Sequence, residues 1–156
     1  MLLQWRPWAT RPTTRFDPMR EQLTRLKVDF GDCDPAGIVF YPNYFRWFDR
    51  ATHDLFASAG YSHLGLKRDH GWLAWPLADV GARFRLPATI GDRIEIRSSI
   101  DEWRDKTFKV SHLVSRGPDL LVEGWELRFI GEPHPEMAGR LRAVMIPDEM
   151  KRRFDQ

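Results

Sequence analysis

Beyond residue 75, apolar side chains recur at every second position, one run after another. Val80, Ala82, Phe84 and Leu86 begin the pattern. Ile94, Ile96, Ser98 and Ile100 continue it, followed by Phe108, Val110 and His112, then Trp125, Leu127 and Phe129, then Leu141, Ala143 and Met145. A period of two is that of strands with one buried face. Pro87, Gly91, Arg104-Asp105, Gly117-Pro118-Asp119 and residues 131–139 break the runs with turn chemistry. Upstream, Leu26, Val28 and Phe30 alternate with Lys27 and Asp29, which predicts a strand ending at Gly31. Between these regions the period changes. Tyr44, Trp47, Phe48, Ala51 and Leu55 fall on one face of a helix, with Asn43 as its N-cap and Gly60 at its C′ position. A short terminal helix is expected after Pro147. The order of strand, helix and serial strands predicts an α+β fold, with one long helix packed on an antiparallel sheet of about five to six strands. Residues 21–156 form the single domain. Residues 1–20, with four Arg, three Pro and one acid, read as an irregular extension.

One helix cannot cover the face of such a sheet. The remaining apolar surface calls for a second copy of the chain, which makes a homo-oligomer the expected state. Seven Trp and ten Phe in 156 residues supply large rings for a core and an interface. A formal charge of +2 gives no argument for nucleic acid, but it allows a local basic patch facing an anionic ligand. The single cysteine, Cys33, excludes an intramolecular disulfide and favours a reducing compartment. No apolar run approaches the roughly 20 residues of a membrane span. The first residues carry no signal-peptide hydrophobic stretch, so the expected location is cytoplasmic.

Asp32 and Asp34 lie two residues apart at a strand end, beside Pro35 and Gly37. Acids in that setting commonly form turns. They also precede a helix start, where free N–H groups and the positive end of the helix dipole gather. Such donors can polarise a carbonyl while a carboxylate attacks it or activates water. Residue types and spacing alone leave both readings open.

Residues 28–56 run Val-Asp-Phe-Gly-Asp-Cys-Asp-Pro-Ala-Gly-Ile-Val-Phe-Tyr-Pro-Asn-Tyr-Phe-Arg-Trp-Phe-Asp-Arg-Ala-Thr-His-Asp-Leu-Phe. This stretch resembles the signature of the 4-hydroxybenzoyl-CoA thioesterase family. The resemblance continues through residues 102–108 and around residues 139–147, covering about residues 24 to 150. It implies the hot-dog fold, assembled as a dimer and usually a tetramer, and hydrolysis of an acyl-CoA thioester to free acid and coenzyme A. The acid directly before Pro-Ala-Gly is the family's catalytic carboxylate, which places that role on Asp34, as nucleophile or general base. The backbone N–H at the helix start polarises the thioester carbonyl, which places that role on Tyr41. Asp32 matches an acid without assigned chemistry and is taken as structural.

Short-chain thioesterases associated with envelope-maintenance proteins carry His where this chain has Tyr41, so Tyr41-Pro42-Asn43 resembles the aryl-CoA type. Residues 61–64 lack the family's Trp in the ring-binding stretch, and Trp72 and Trp75 stand where smaller residues are expected. An aromatic acyl group is therefore implied without its 4-hydroxyl being fixed. Coenzyme A carries phosphates, which basic side chains bind. Arg104 and Lys106 fall in a hairpin resembling the family's nucleotide-binding cluster, with Asp105 in place of a basic residue. Arg128 matches a third basic position. No cofactor is implied beyond the coenzyme A of the substrate.

Other chemistries have weaker support. Cys33 has no His at a diagnostic spacing. The His residues at 53, 63, 70, 112 and 134 show no metal-ligand spacing, and Asp32 and Asp34 do not make a calcium loop. Three alternatives remain open: an aliphatic short- or medium-chain acyl-CoA substrate, a hot-dog hydratase or dehydratase, and a non-catalytic acyl-CoA-binding module.

Overall fold

The computed structural model describes residues 20–156. Residues 1–19, nearly all of the expected extension, lie outside the described residues. Arg20 is described, and its N–H donates to the Phe154 carbonyl at 2.7 Å while its guanidinium reaches the Ser58 carbonyl at 2.6 Å.

Five strands form one antiparallel sheet: β1 (Glu21–Lys27), β2 (Leu77–Phe84), β3 (Arg93–Trp103), β4 (Thr107–Arg116) and β5 (Asp119–Phe129). Their spatial order is β1-β3-β4-β5-β2. The serial runs therefore pair as hairpins, while the first and second strands take the two edges. The strands β6 (Gly131–Pro133) and β7 (Leu141–Ala143) form a separate two-stranded ribbon. The helix α1 (Pro42–Ser58) lies on one face of the large sheet, and the short helices α2 (Leu66–His70) and α3 (Asp148–Phe154) complete the chain. The α+β class, the single long helix and the terminal helix after Pro147 agree with the sequence analysis. Among the described residues no helix is long and apolar enough to cross a membrane.

The buried face of α1 carries Tyr44, Phe48, Ala51, Leu55 and Phe56. Its first half packs on Ile94, Ile96, Val114 and Val122; its second half packs on Ile100, Phe108, Met150 and Phe154. The Phe56 ring lies 4.6 Å from Trp75, 5.0 Å from Phe108 and 4.8 Å from Phe154, distances typical of favourable aromatic contacts. Gly60, with φ of 89°, follows the helix in the left-handed conformation expected of a C′ residue.

Three expectations are corrected. The strand expected to reach Gly31 stops at Lys27. Val28 stays buried, but Phe30 enters a 3₁₀ turn at residues 30–32 and is 83% exposed. Asn43 is not the N-cap, because Tyr41 occupies that position and Asn43 lies inside the first turn. In β5 the residues facing α1 are Val122, Gly124, Glu126 and Arg128, and Trp125, Leu127 and Phe129 take the opposite, half-buried face. The alternation is real, but the face turned inward is the more polar one.

That face is polar because its charges are paired internally. The Arg128 guanidinium donates to Glu126 at 2.8 and 2.9 Å, to the Trp75 carbonyl at 2.8 Å and to Asp49 of α1 at 2.6 Å. Thr52 of α1 donates to Glu126 at 2.5 Å. The His112 ring lies 3.3 Å from Glu126 through Nε2, pairs with the Ser98 hydroxyl at 2.7 Å through Nδ1, and stacks on Phe48 at 4.7 Å. Burial pushes the Glu126 carboxyl up, but hydrogen bonds from His112 and Arg128, with the Arg128 charge, overcome that and hold it at about 2. Gly124 admits the Phe48 ring, since a Cβ there would fall inside it.

Two measurements check this packing. Gly124→Ala is expected to lose roughly 1–3 kcal/mol in urea denaturation, because a close-packed ring must move. Glu126 has a folded-state pKa below its ordinary 4.5, so its contribution is fully present above that pH and is lost as pH falls towards 2. The stability gap between the native chain and Glu126→Gln is therefore expected to be widest near neutrality. The titration part of that gap should shrink steadily below pH 4.5.

Candidate active site

The chain leaves β1, makes the 3₁₀ turn and doubles back before entering α1. Phe40 N–H donates to the Asp32 carbonyl at 2.8 Å, Asp34 N–H to the Ile38 carbonyl at 2.9 Å, and Gly37 N–H to the Asp34 carbonyl at 2.9 Å. Gly37, with φ of 79°, supplies the left-handed residue that this reversal needs. One Asp34 carboxylate oxygen accepts the Ala36 N–H at 2.8 Å, an Asx-type turn that fixes the side chain. Asp34 is half-buried. Val39 N–H donates to the Ala88 carbonyl at 2.9 Å, which fastens the loop to the segment after β2.

Asp32 is the anchor. Its carboxylate accepts the Asp29 N–H at 2.9 Å in a capping box around the 3₁₀ turn. Its carbonyl accepts both the Phe40 N–H and the Asn43 side-chain amide, the latter at 2.9 Å. Asn43 therefore ties the Asp34 loop to the first turn of α1.

A helix start normally presents several free N–H groups. Here Asn43 N–H is bonded to the Phe40 carbonyl at 3.0 Å, Tyr44 N–H is bonded to the Tyr41 carbonyl at 3.1 Å, and Pro42 has no N–H. Tyr41 N–H donates to no protein acceptor among the described residues. It is the unspent amide at the positive end of a 17-residue helix. The Tyr41 ring is 59% exposed and packs edge-on to Phe40 and Phe45 at 5.5 and 6.5 Å. The fold thus joins Asp34 and the Tyr41 amide through one short, hydrogen-bonded segment.

The expected basic residues lie elsewhere. Arg104 and Lys106 sit in the β3–β4 turn, both exposed, and the Arg104 side chain pairs with Glu102 at 2.9 and 3.3 Å. The Asp34 loop lies at the opposite end of the sheet, where β1 ends with Lys27 opposite Arg93. Eleven residues of β3 separate the two ends, roughly 30 Å at strand rise. One protomer therefore does not bring these cations to Asp34. Arg128 is 3% exposed and committed to Glu126, Asp49 and Trp75, so it is a buried structural cation and not an exposed phosphate ligand. Trp72 and Trp75 are buried with Tyr61 in the second core cluster rather than set on an open surface.

Sequence reasoning missed the Ser98–His112–Glu126–Arg128–Asp49 network. Its signal was available: Gly124, Glu126 and Arg128 share a strand face, in register with His112 and Val110 of β4. Among the described residues no cluster of three or more His, Cys, Asp or Glu could hold a metal ion.

Comparison with known proteins places this geometry. The 4-hydroxybenzoyl-CoA thioesterase of Pseudomonas sp. (strain CBS-3) is 37% identical over 136 residues, covering 82% of this chain and 93% of that one. A crystal structure of a 4-hydroxybenzoyl-CoA thioesterase carrying an Asp-to-Asn substitution, complexed with 4-hydroxybenzoyl-CoA, superposes with a TM-score of 0.79 at 33% identity, covering 86% of this chain and 99% of that one. The structure of a gentisyl-coenzyme A thioesterase gives a TM-score of 0.72 at 30% identity, covering 86% of this chain and 100% of that one. The sheet and helix described above are the hot-dog fold of these structures. A family model of the Thioesterase-like superfamily matches residues 28–154, and the chain belongs to that superfamily.

Proposed function

We propose that this protein hydrolyses the thioester of an aryl-CoA, releasing an aromatic acid and coenzyme A. Thioester hydrolysis is the chemistry of the superfamily to which the chain belongs. The aryl preference draws support from relatives named for 4-hydroxybenzoyl-CoA and gentisyl-CoA. The observation that carries the reading is the short tether between Asp34 and the one unspent amide of the α1 start.

In this mechanism the thioester carbonyl oxygen accepts the Tyr41 N–H. The dipole of α1 and that hydrogen bond stabilise negative charge on the oxygen as the carbonyl carbon becomes tetrahedral. The Asp34 carboxylate either attacks the carbon or takes a proton from the water that does. The C–S bond then breaks and coenzyme A leaves as a thiolate that takes a proton from water; where Asp34 itself attacked, a water then hydrolyses the mixed anhydride, which frees the aromatic acid and restores the carboxylate. An Asx turn holds the carboxylate in one direction, so little ordering is needed as the reaction proceeds. Arg104 and Lys106 serve the phosphates of coenzyme A, and they do so from a neighbouring protomer, because a sheet length separates them from Asp34 of their own chain. A homodimer, and a tetramer built from it, gives the site its second wall. Edge strand β2, which ends in the exposed Phe84 and is followed by the exposed Leu86, is the surface such pairing would cover.

Asp34→Asn is expected to fold normally and to lose about 10² or more in kcat with benzoyl-CoA, the scale of a lost acid–base or nucleophilic group. Unchanged turnover would rule the assignment out. The backbone role of Tyr41 has its own test. Its φ of −52° lies close to that of proline, so Tyr41→Pro deletes the N–H with little change of path. This variant should lose about 10²–10³ in kcat, while Tyr41→Phe, which keeps the amide, should stay within a few-fold.

A further inference from the structure

The exposed face of the β1–β3 edge pairs its charges across the two strands, directly or diagonally, with one exception. Arg97 lies 3.9 Å from Glu21, and Arg25 donates to Glu95 at 2.8 Å. On the last rung Lys27 stands directly opposite Arg93. Both are exposed, and neither makes an ion pair among the described residues. Like charges facing each other across two strands destabilise a sheet. Continuing the β3–β4 register brings Gly117 beside Arg93, where the missing side chain leaves an open floor. The result is an open surface groove whose charged border is Arg25, Lys27, Arg93 and Glu95, with Gly117 at its floor.

The neighbouring charges on β3 and β4 are spent, while the exposed Asp29, two residues beyond Lys27, makes no ion pair among the described residues. Glu95 is taken by Arg25, and Arg116 is taken by Asp92 at 2.6 Å and Asp119 at 3.6 Å. Lys27 and Arg93 are thus two facing cations that make no ion pair among the described residues. A long polyanion finds no continuous basic track there, whereas a single dianionic group fits. Lysine offers a point charge and arginine a planar fork, a combination suited to phosphate oxygens.

We propose that Lys27 and Arg93 form a binding site for a small phosphorylated ligand, on the outer face of the sheet and apart from the Asp34 carboxylate. The ligand's phosphate supplies the charge that the rung lacks. The phosphate can belong to a free phosphorylated metabolite or to coenzyme A itself, and the recognition chemistry is shared.

Thermal unfolding of the full chain distinguishes these sources, with inorganic pyrophosphate and coenzyme A as separate probes. At millimolar ligand either probe is expected to raise the midpoint by a few degrees. The double variant Lys27→Gln/Arg93→Gln should lose the rise given by pyrophosphate and part of that given by coenzyme A. A lost rise with pyrophosphate identifies a free phosphate ligand. A rise with coenzyme A alone, reduced in the double variant, identifies the phosphates of coenzyme A. No rise with either probe, or an equal rise in the native chain and the variant, overturns the proposal. Without ligand at low salt, Lys27→Gln should unfold at a higher temperature than the native chain, because the facing charges no longer repel; a lower midpoint also counts against the site.

Discussion

The buried ion pairing of Arg128 is the contact on which the placement of α1 depends. Arg128 and Glu126 stand two residues apart on the strand face that meets the helix, and the helix contributes Asp49 and Thr52 to them. Charges withdrawn from water are tolerated only when partners satisfy them, and removing one partner leaves the other exposed to that cost. The network therefore selects one register of helix on sheet. Apolar packing of Phe48, Ala51 and Leu55 supplies the bulk of the burial, but it would accept small slides that Asp49 and Thr52 would not.

Fixing α1 also fixes where its first turn points. The helix start is bound to the loop before it by the Asn43 side chain and the Asp32 carbonyl, so the direction of Asp34 is inherited from the seat of the helix. Pro42 contributes by what it lacks. With no N–H of its own, and with the next two amides turned back onto residues 40 and 41, the positive end of the helix is focused on Tyr41. The proposed catalysis needs little else from this protomer: one carboxylate held by an Asx turn and one amide without a partner.

The same sheet that carries the helix separates the two halves of the proposed substrate site. Its length keeps Arg104 and Lys106 away from their own Asp34, so the proposed mechanism calls on a neighbouring copy to meet the phosphates of a ligand whose thioester lies at Asp34. An uncovered edge at β2, with large apolar side chains beside it, is consistent with that arrangement. The unpaired rung of Lys27 and Arg93 lies at the Asp34 end of the sheet, on its outer face.

Much of this was already written in the sequence. Period-two runs and one helical stretch determined the α+β layering, because each regular structure exposes its own periodicity when one face is buried. The segment around Asp34 and Tyr41 was legible as a candidate site because turn residues, a proline and a helix face sit within a few positions of one another. Long-range partners were not legible. Arg128 reads as a surface cation until β5 is laid against α1, and only then do Asp49, Glu126 and His112 surround it. Phe30 reads as the next inward residue of a strand, but hydrogen bonds of the Asp32 capping box end the strand first. Periodicity says that a strand has two faces. Which face turns inward is decided by the partners waiting across the core, and those lie dozens of residues away in the chain.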